Sequence, residues 1–232
     1  MDDAFPRIPG SFLWYNVDMK WKKIFAMMGI WGPLVFFMLI TALGPFWRGY
    51  SPLSEYISVL GSTGSPYRSV VNIFGFVLFG LIVGFVAASL AGQLAKSALA
   101  KASTRLLRAG SVFVMLMGVF PVDRYHSTVT LAGNLHRFIT YAAFILLPAS
   151  MVCLGLVFKK DAKWGGVWTA ISLLLAAGAV LAQVLILLDR HSPYVGLIQR
   201  LGVGAALFWV VLVSINLFLK YQMDEIFPLP EK

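Results

Sequence analysis

An all-α polytopic membrane bundle is the fold class this sequence predicts, and three observations predict it. Charged residues make up 12% of the chain and hydrophobic ones 59%, whereas a soluble domain has about a quarter of its residues charged. Six long stretches free of Asp, Glu, Lys and Arg together hold 129 of the 232 residues, so the charges are confined to narrow bands between apolar runs. The basic residues in those bands are also unevenly divided between the two sides of the implied bundle. A soluble fold is thereby excluded, and no inter-run segment is long enough to build a core of its own.

The elements follow in order. Residues 1–23 interleave Arg7, Lys20, Lys22 and Lys23 with Trp14, Tyr15 and Trp21, the composition of a cytoplasmic interfacial segment. The first membrane helix is expected at about 24–47, too long for a signal peptide and so read as a retained anchor, with Pro33 as a kink site. In the following loop, Leu53, Tyr56, Ile57 and Leu60 recur at i, i+3, i+4 and i+7. Ser51-Pro52 before them and Gly61 after them predict a short interfacial helix near 52–60, with Ser54, Glu55 and Ser58 on its other face. The second helix, 69–95, carries Gly80, Gly84, Ala88 and Gly92 at four-residue spacing, a ridge that lets a neighbouring backbone approach closely.

The third helix, about 103–122, is anomalous. Its uncharged part, 109–122, has 14 residues, which rise about 21 Å against a hydrocarbon thickness of roughly 30 Å. Arg105 and Arg108 can snorkel, but Asp123 is too short to do so. It is therefore expected at the outer edge of the bilayer, turned toward the bundle interior, just after Pro121. Helices at about 137–158 (with Pro148), 165–188 (with Gln183) and 200–219 complete the 24–219 membrane domain, and 220–232 forms a cytoplasmic tail. Cys153 is the single cysteine, so an intrachain disulfide is excluded.

With the N-terminus placed in the cytoplasm, 13 Lys and Arg fall inside and 6, all Arg, fall outside. This bias predicts both termini in the cytoplasm of a cell that holds the protein in its cytoplasmic membrane. It also explains the net charge of +9 without nucleic acid as a partner. His126, His136 and His191 all lie on the outer side, with Glu55, Asp123 and Asp189 as the outer acids. Asp123-Arg124-Tyr125-His126-Ser127 and Asp189-Arg190-His191-Ser192 resemble one another, each with an Arg (Arg137, Arg200) opening the next helix. They read as a weak internal repeat of helical hairpins.

Four chemistries fit these residues. Metal-assisted hydrolysis of a lipid would use Asp123, His126, His136 and His191 as ligands to a divalent ion such as zinc, with Glu55 as general base; the ordinary alternative is solvated interfacial histidines. Recognition of anionic lipid headgroups would use Arg124, Arg137 and Arg190, with Ser58 nearby; the alternative is Arg–Asp pairing that ties helix ends together. A metal-free site would pair Asp123 with His126 or His136 as an acid–base dyad, with Ser54, Ser58, Ser127 or Ser192 as nucleophile but no nucleophile-elbow motif. A small transporter would need charge near the midplane, which is apolar here, since the only polar anchors are Asp123 at the outer edge and Gln183 in the outer third of its helix. A non-enzymatic protein binding a small molecule or a partner protein is the reading from a different class.

Ser54-Glu55-Tyr56-Ile57-Ser58-Val59-Leu60-Gly61, the following Asn72, Gly118-Val119-Phe120-Pro121-Val122-Asp123 and Leu135-His136 resemble the membrane-protein family called domain of unknown function 998. The resemblance runs from the first to the sixth helix. It implies a multi-helix prokaryotic membrane protein and supplies no activity. A looser similarity is to the superfamily of alkaline ceramidases and progestin-receptor-like proteins, which place a Ser, an Asp and three His around zinc. This sequence lacks that superfamily's His-x-x-x-His pair and seventh helix.

Overall fold

The computed structural model of the chain describes residues 10–94, 97–124 and 128–226. Its main elements are six helices: α1 Gly10–Leu43, α2 Arg68–Gln93, α3 Ala98–Val119, α4 Leu131–Lys160, α5 Gly166–Leu188 and α6 Val195–Ile226. All six are long and apolar enough to cross a membrane, and no strand occurs among the described residues. Each helix packs on its neighbours in the chain, and α6 returns to pack on α1, so the six form a ring. Phe138, Ile145, Leu174 and Leu188 on its outside are exposed, as expected of side chains whose solvent is lipid.

Several helix ends differ from the uncharged runs, each for a local reason. α1 has 34 residues, so it rises about 51 Å and projects well past a hydrocarbon layer of roughly 30 Å. Much of the segment expected to lie at the interface is thus continuous with the helix. α3 stops at Val119, before the expected 122, and Phe120 turns extended (φ −105°, ψ 97°). Phe120 precedes Pro121, and the proline ring disfavours helical backbone in the residue before it. α4 begins at Leu131 rather than near 137, because Thr130 caps it: the Thr130 side chain accepts a hydrogen bond from Gly133 N–H. His136 and Arg137 therefore sit in the second turn of the helix instead of before it. Both α1 and α4 continue through their prolines, Pro33 and Pro148.

The loop between α1 and α2 is not the single amphipathic α-helix expected near 52–60. One turn closes from Glu55 N–H to Ser51 O at 2.9 Å, Tyr56 is extended, and a 3-10 helix follows at Ile57–Gly61. This loop lies across the start of α6. Leu197 N–H donates to Leu53 O at 3.0 Å, which satisfies a first-turn amide that has no partner within its own helix. Arg200 Nη1 donates to the carbonyls of Pro52 (2.6 Å), Glu55 (3.0 Å) and Gly196 (3.0 Å), and Nη2 donates to the Tyr50 hydroxyl. Ile57 N–H donates to Gln199 Oε1 at 2.7 Å. A Cβ on Gly196 would come 2.3 Å from Glu55 O, so only glycine lets the loop backbone lie this close.

α2 holds a feature with no counterpart in the sequence reading, a π-helical segment over Val71–Val77. Asn72, buried within it, donates from Nδ2 to Gly61 O at 2.9 Å and so ties α2 to the end of the first loop. Gly118 lies against the same segment: a Cβ there would meet Asn72 O at 2.4 Å. Of the glycine ridge on α2, Gly80 and Gly84 face α3 around Ser111, whereas Gly92 faces Lys22 of α1. At the opposite end of the ring an ion pair between Lys23 and Glu225 joins α1 to α6, and Tyr221 Oη meets Ser89 Oγ at 2.8 Å.

Candidate functional site

Residues 44–67, 120–124, 128–130 and 189–194 share one end of the ring, and a cavity of about 530 Å³ opens among them. That volume is in the range of small-molecule sites. One face of α4 forms its longest wall: Gly133, His136, Arg137, Thr140, Tyr141 and Phe144 all line it. Their spacing of three and four residues is that of a single helix face. The expected site residues Asp123, Arg124, Arg190 and His191 border it from the loops, and Ser58 from the 3-10 helix. Gln183 on α5 and Gln199 on α6 complete the wall.

Two of the three outer acids are elsewhere. Glu55, the candidate general base, does not line the cavity; its Oε2 accepts from Ser51 N–H at 2.9 Å and braces its own turn. Asp189 lies outside the lining too, its Oδ1 accepting from His191 N–H at 3.1 Å. His126 and Ser127 lie outside the described residues. Among the described residues no three of His, Cys, Asp and Glu come together to hold a metal ion. Arg200 is committed to backbone carbonyls of the first loop.

Asp123 is half-buried at the cavity rim, and Thr130 occupies both its carboxylate oxygens. Oδ2 accepts from Thr130 N–H and Oδ1 from Thr130 Oγ1, each at 2.8 Å. The backbone and side-chain bonds from Thr130 hold the carboxyl below its usual pKa, with Arg137 adding a smaller attraction. A carboxylate at the N-terminus of α4 also faces the positive end of the helix dipole. Asp123 thus holds Thr130 at the start of α4, and it makes no hydrogen bond to His136.

His136 is oriented by a different group. Only 3% of it is exposed, and Nδ1 lies 2.6 Å from Phe120 O, the carbonyl freed where Pro121 ends α3. A carbonyl can only accept, so Nδ1 carries the proton, and in the neutral ring Nε2 keeps its lone pair. That Nε2 is buried with no hydrogen-bond partner, and so are Thr140 Oγ1 and Gln183 Nε2. Three unpartnered polar atoms thus belong to side chains that line one cavity, where a buried polar group ordinarily finds a partner. Thr140 is a full turn beyond His136, a spacing legible in the sequence. The exposure of Gln183 to a cavity, with no partner from another helix, was not.

The cavity continues inward. A second volume of about 80 Å³ shares Ser58, His136, Thr140, Phe144 and Gln199 with it. Beyond them all six helices contribute apolar walls, among them Phe36, Phe79, Val114, Ala143, Ala179 and Leu207. The whole is amphipathic: a rim with three guanidiniums (Arg124, Arg137, Arg190) and one carboxylate (Asp123), a polar collar, and an apolar chamber within the ring. Of the rim cations, Arg124 lies over the Trp47 ring at 4.9 Å and Arg137 donates to Asn134 Oδ1.

A closed ring of six membrane-crossing helices around such a cavity defines a polytopic α-helical membrane protein. A family model described as "Protein of unknown function (DUF998)" matches residues 30–216, and the chain belongs to that family. Neither the comparison with curated proteins nor that with solved structures gave a match.

Proposed function

We propose that this protein binds an anionic amphiphile from the outer leaflet, with the headgroup at the arginine rim and the hydrocarbon chain in the inner chamber. The supporting observation is the graded cavity itself: an excess of guanidinium over carboxylate at its mouth and an apolar interior reached through a polar collar. Guanidinium suits phosphate and carboxylate because it presents paired donors in a plane. The basic bias of the loops supports the orientation, with both termini in the cytoplasm of the cell membrane and the cavity outside. Lipid hydrolysis through a metal has less support, because Asp123 is committed to Thr130 and Glu55 to Ser51.

The test is native mass spectrometry of the purified full chain with oleoyl lysophosphatidic acid and oleoyl lysophosphatidylcholine. The anionic lipid is expected to bind more tightly. The double variant Arg137→Ala/Arg190→Ala is expected to lose at least tenfold in that affinity, since hydrogen bonds to charged groups contribute about 1.5–3 kcal/mol each. Equal affinity for the two lipids, or an unchanged double variant, would remove the anionic-headgroup reading.

A further inference from the structure

We infer that the ligand carries a hydroxyl between its anionic group and its chain, and that His136 Nε2 accepts that hydroxyl: the geometry points to a single-chain amphiphile of the lysophospholipid type. This deepens the reading above and rests on it. His136 and Thr140 line both volumes and so stand between rim and chamber, Gln183 lines the outer cavity only, and the hydrogen-bonding capacities of the three differ. Gln183 Nε2 can only donate, and Thr140 Oγ1 can do either. In the neutral ring, whose one proton Phe120 O holds on Nδ1, His136 Nε2 can only accept. An anion reaching this depth would meet a lone pair, so the arginines at the rim are the place for the charge. The collar is complementary to a neutral group that both donates and accepts. A hydroxyl has that character, and an ester carbonyl beside it would accept from Gln183 or Thr140. A ligand with an ester alone would leave the imidazole lone pair buried and unmatched.

The single chain follows from the chamber. It measures about 80 Å³ against about 530 Å³ for the outer cavity. Phe36, Phe76 and Phe79 crowd it from α1 and α2, with the Phe36 and Phe79 rings stacked at 5.1 Å. One acyl chain enters this chamber only as its side-chain walls yield, and two would need the ring of helices to part.

The experiment compares three probes on the wild-type full chain in detergent by the same mass-spectrometric titration. They are oleoyl lysophosphatidic acid, its deoxy analogue with hydrogen in place of the free glycerol hydroxyl, and dioleoyl phosphatidic acid. The hydroxylated probe is expected to bind roughly five- to tenfold more tightly than the deoxy analogue, the gain of one hydrogen bond to a buried acceptor. The two-chain lipid is expected to bind more weakly than either. In the variant His136→Asn an amide nitrogen can keep the bond to Phe120 O while the Nε2 acceptor is gone. There the preference for the hydroxyl over the deoxy analogue is expected to vanish. Equal binding of the hydroxylated and deoxy probes by the wild type would overturn the inference even if the variant fails to fold. Equal binding combined with retained preference for anionic over zwitterionic lipid would leave the rim reading standing. Loss of both preferences would remove both.

Discussion

Asp123 and Gly133 show how closely single residues are fitted at the rim. A Cβ on Gly133 would come 2.0 Å from Asp123 Oδ2, so the carboxylate occupies the space that glycine leaves open. The same carboxylate receives both Thr130 donors. Because its folded pKa is lowered, its contribution to stability is complete above the unfolded carboxylate value of about 4 and is lost as pH falls through the lowered one. The stability gap between wild type and Asp123→Ala is therefore expected to be constant near neutrality and to close in acid below about pH 4. Thermal unfolding in detergent over a pH series reads this; a gap independent of pH would contradict it. The sequence turned Asp123 toward the bundle interior, and the residue lines the cavity at its rim. Its partner was not legible. An Asp among histidines is read as a dyad, whereas the proline-terminated end of α3 supplies a free carbonyl that takes His136 first, and the start of α4 supplies donors that take Asp123.

Among the elements, the first loop depends most on contacts distant in sequence. Its carbonyls converge on Arg200, its Ile57 amide on Gln199, and Tyr50 relays from Arg200 to Tyr56 O at 3.2 Å. Burial pushes the Tyr50 phenol up, against the opposing pull of Arg200, so it remains a donor at neutral pH. Replacing Arg200 with Ala is expected to destabilise the protein by about 2–3 kcal/mol, the scale of hydrogen bonds to a charged group. It should also raise hydrogen exchange at Leu53–Gly61, the first loop's backbone. Unchanged exchange there would show that the loop is held by its apolar contacts instead. The amphipathic spacing of Leu53, Tyr56, Ile57 and Leu60 was read as one α-helix, but these bonds to α6 outcompete the continuous helix and leave Tyr56 extended. The π-helical turns at Val71–Val77 had no sequence signal either, since their register answers to Asn72 and Gly118 across a helix interface.

For the whole molecule, six membrane-crossing helices were legible because uncharged runs and loop charge report the bilayer directly. Ring closure by α6 on α1 was not, since apolar periodicity does not name its partner. The orientation read from the arginine and lysine bias makes a further expectation. With Cys153→Ala as background, Thr63→Cys, at an exposed position of the first loop, should react with a membrane-impermeant maleimide on intact cells. Labelling only after lysis would invert the topology and place the cavity in the cytoplasm. The cavity as a lipid site is best examined by photocrosslinking a lysophosphatidic acid with a diazirine in its chain to the purified protein, then mapping the adduct by peptide mass spectrometry. Adducts on Phe144 and Leu207, inside the ring, are expected, and Arg137→Ala/Arg190→Ala should reduce them. Adducts confined to the outward-facing Phe138, Ile145 and Leu174, at wild-type yield in the double variant, would contradict an anionic amphiphile within the bundle.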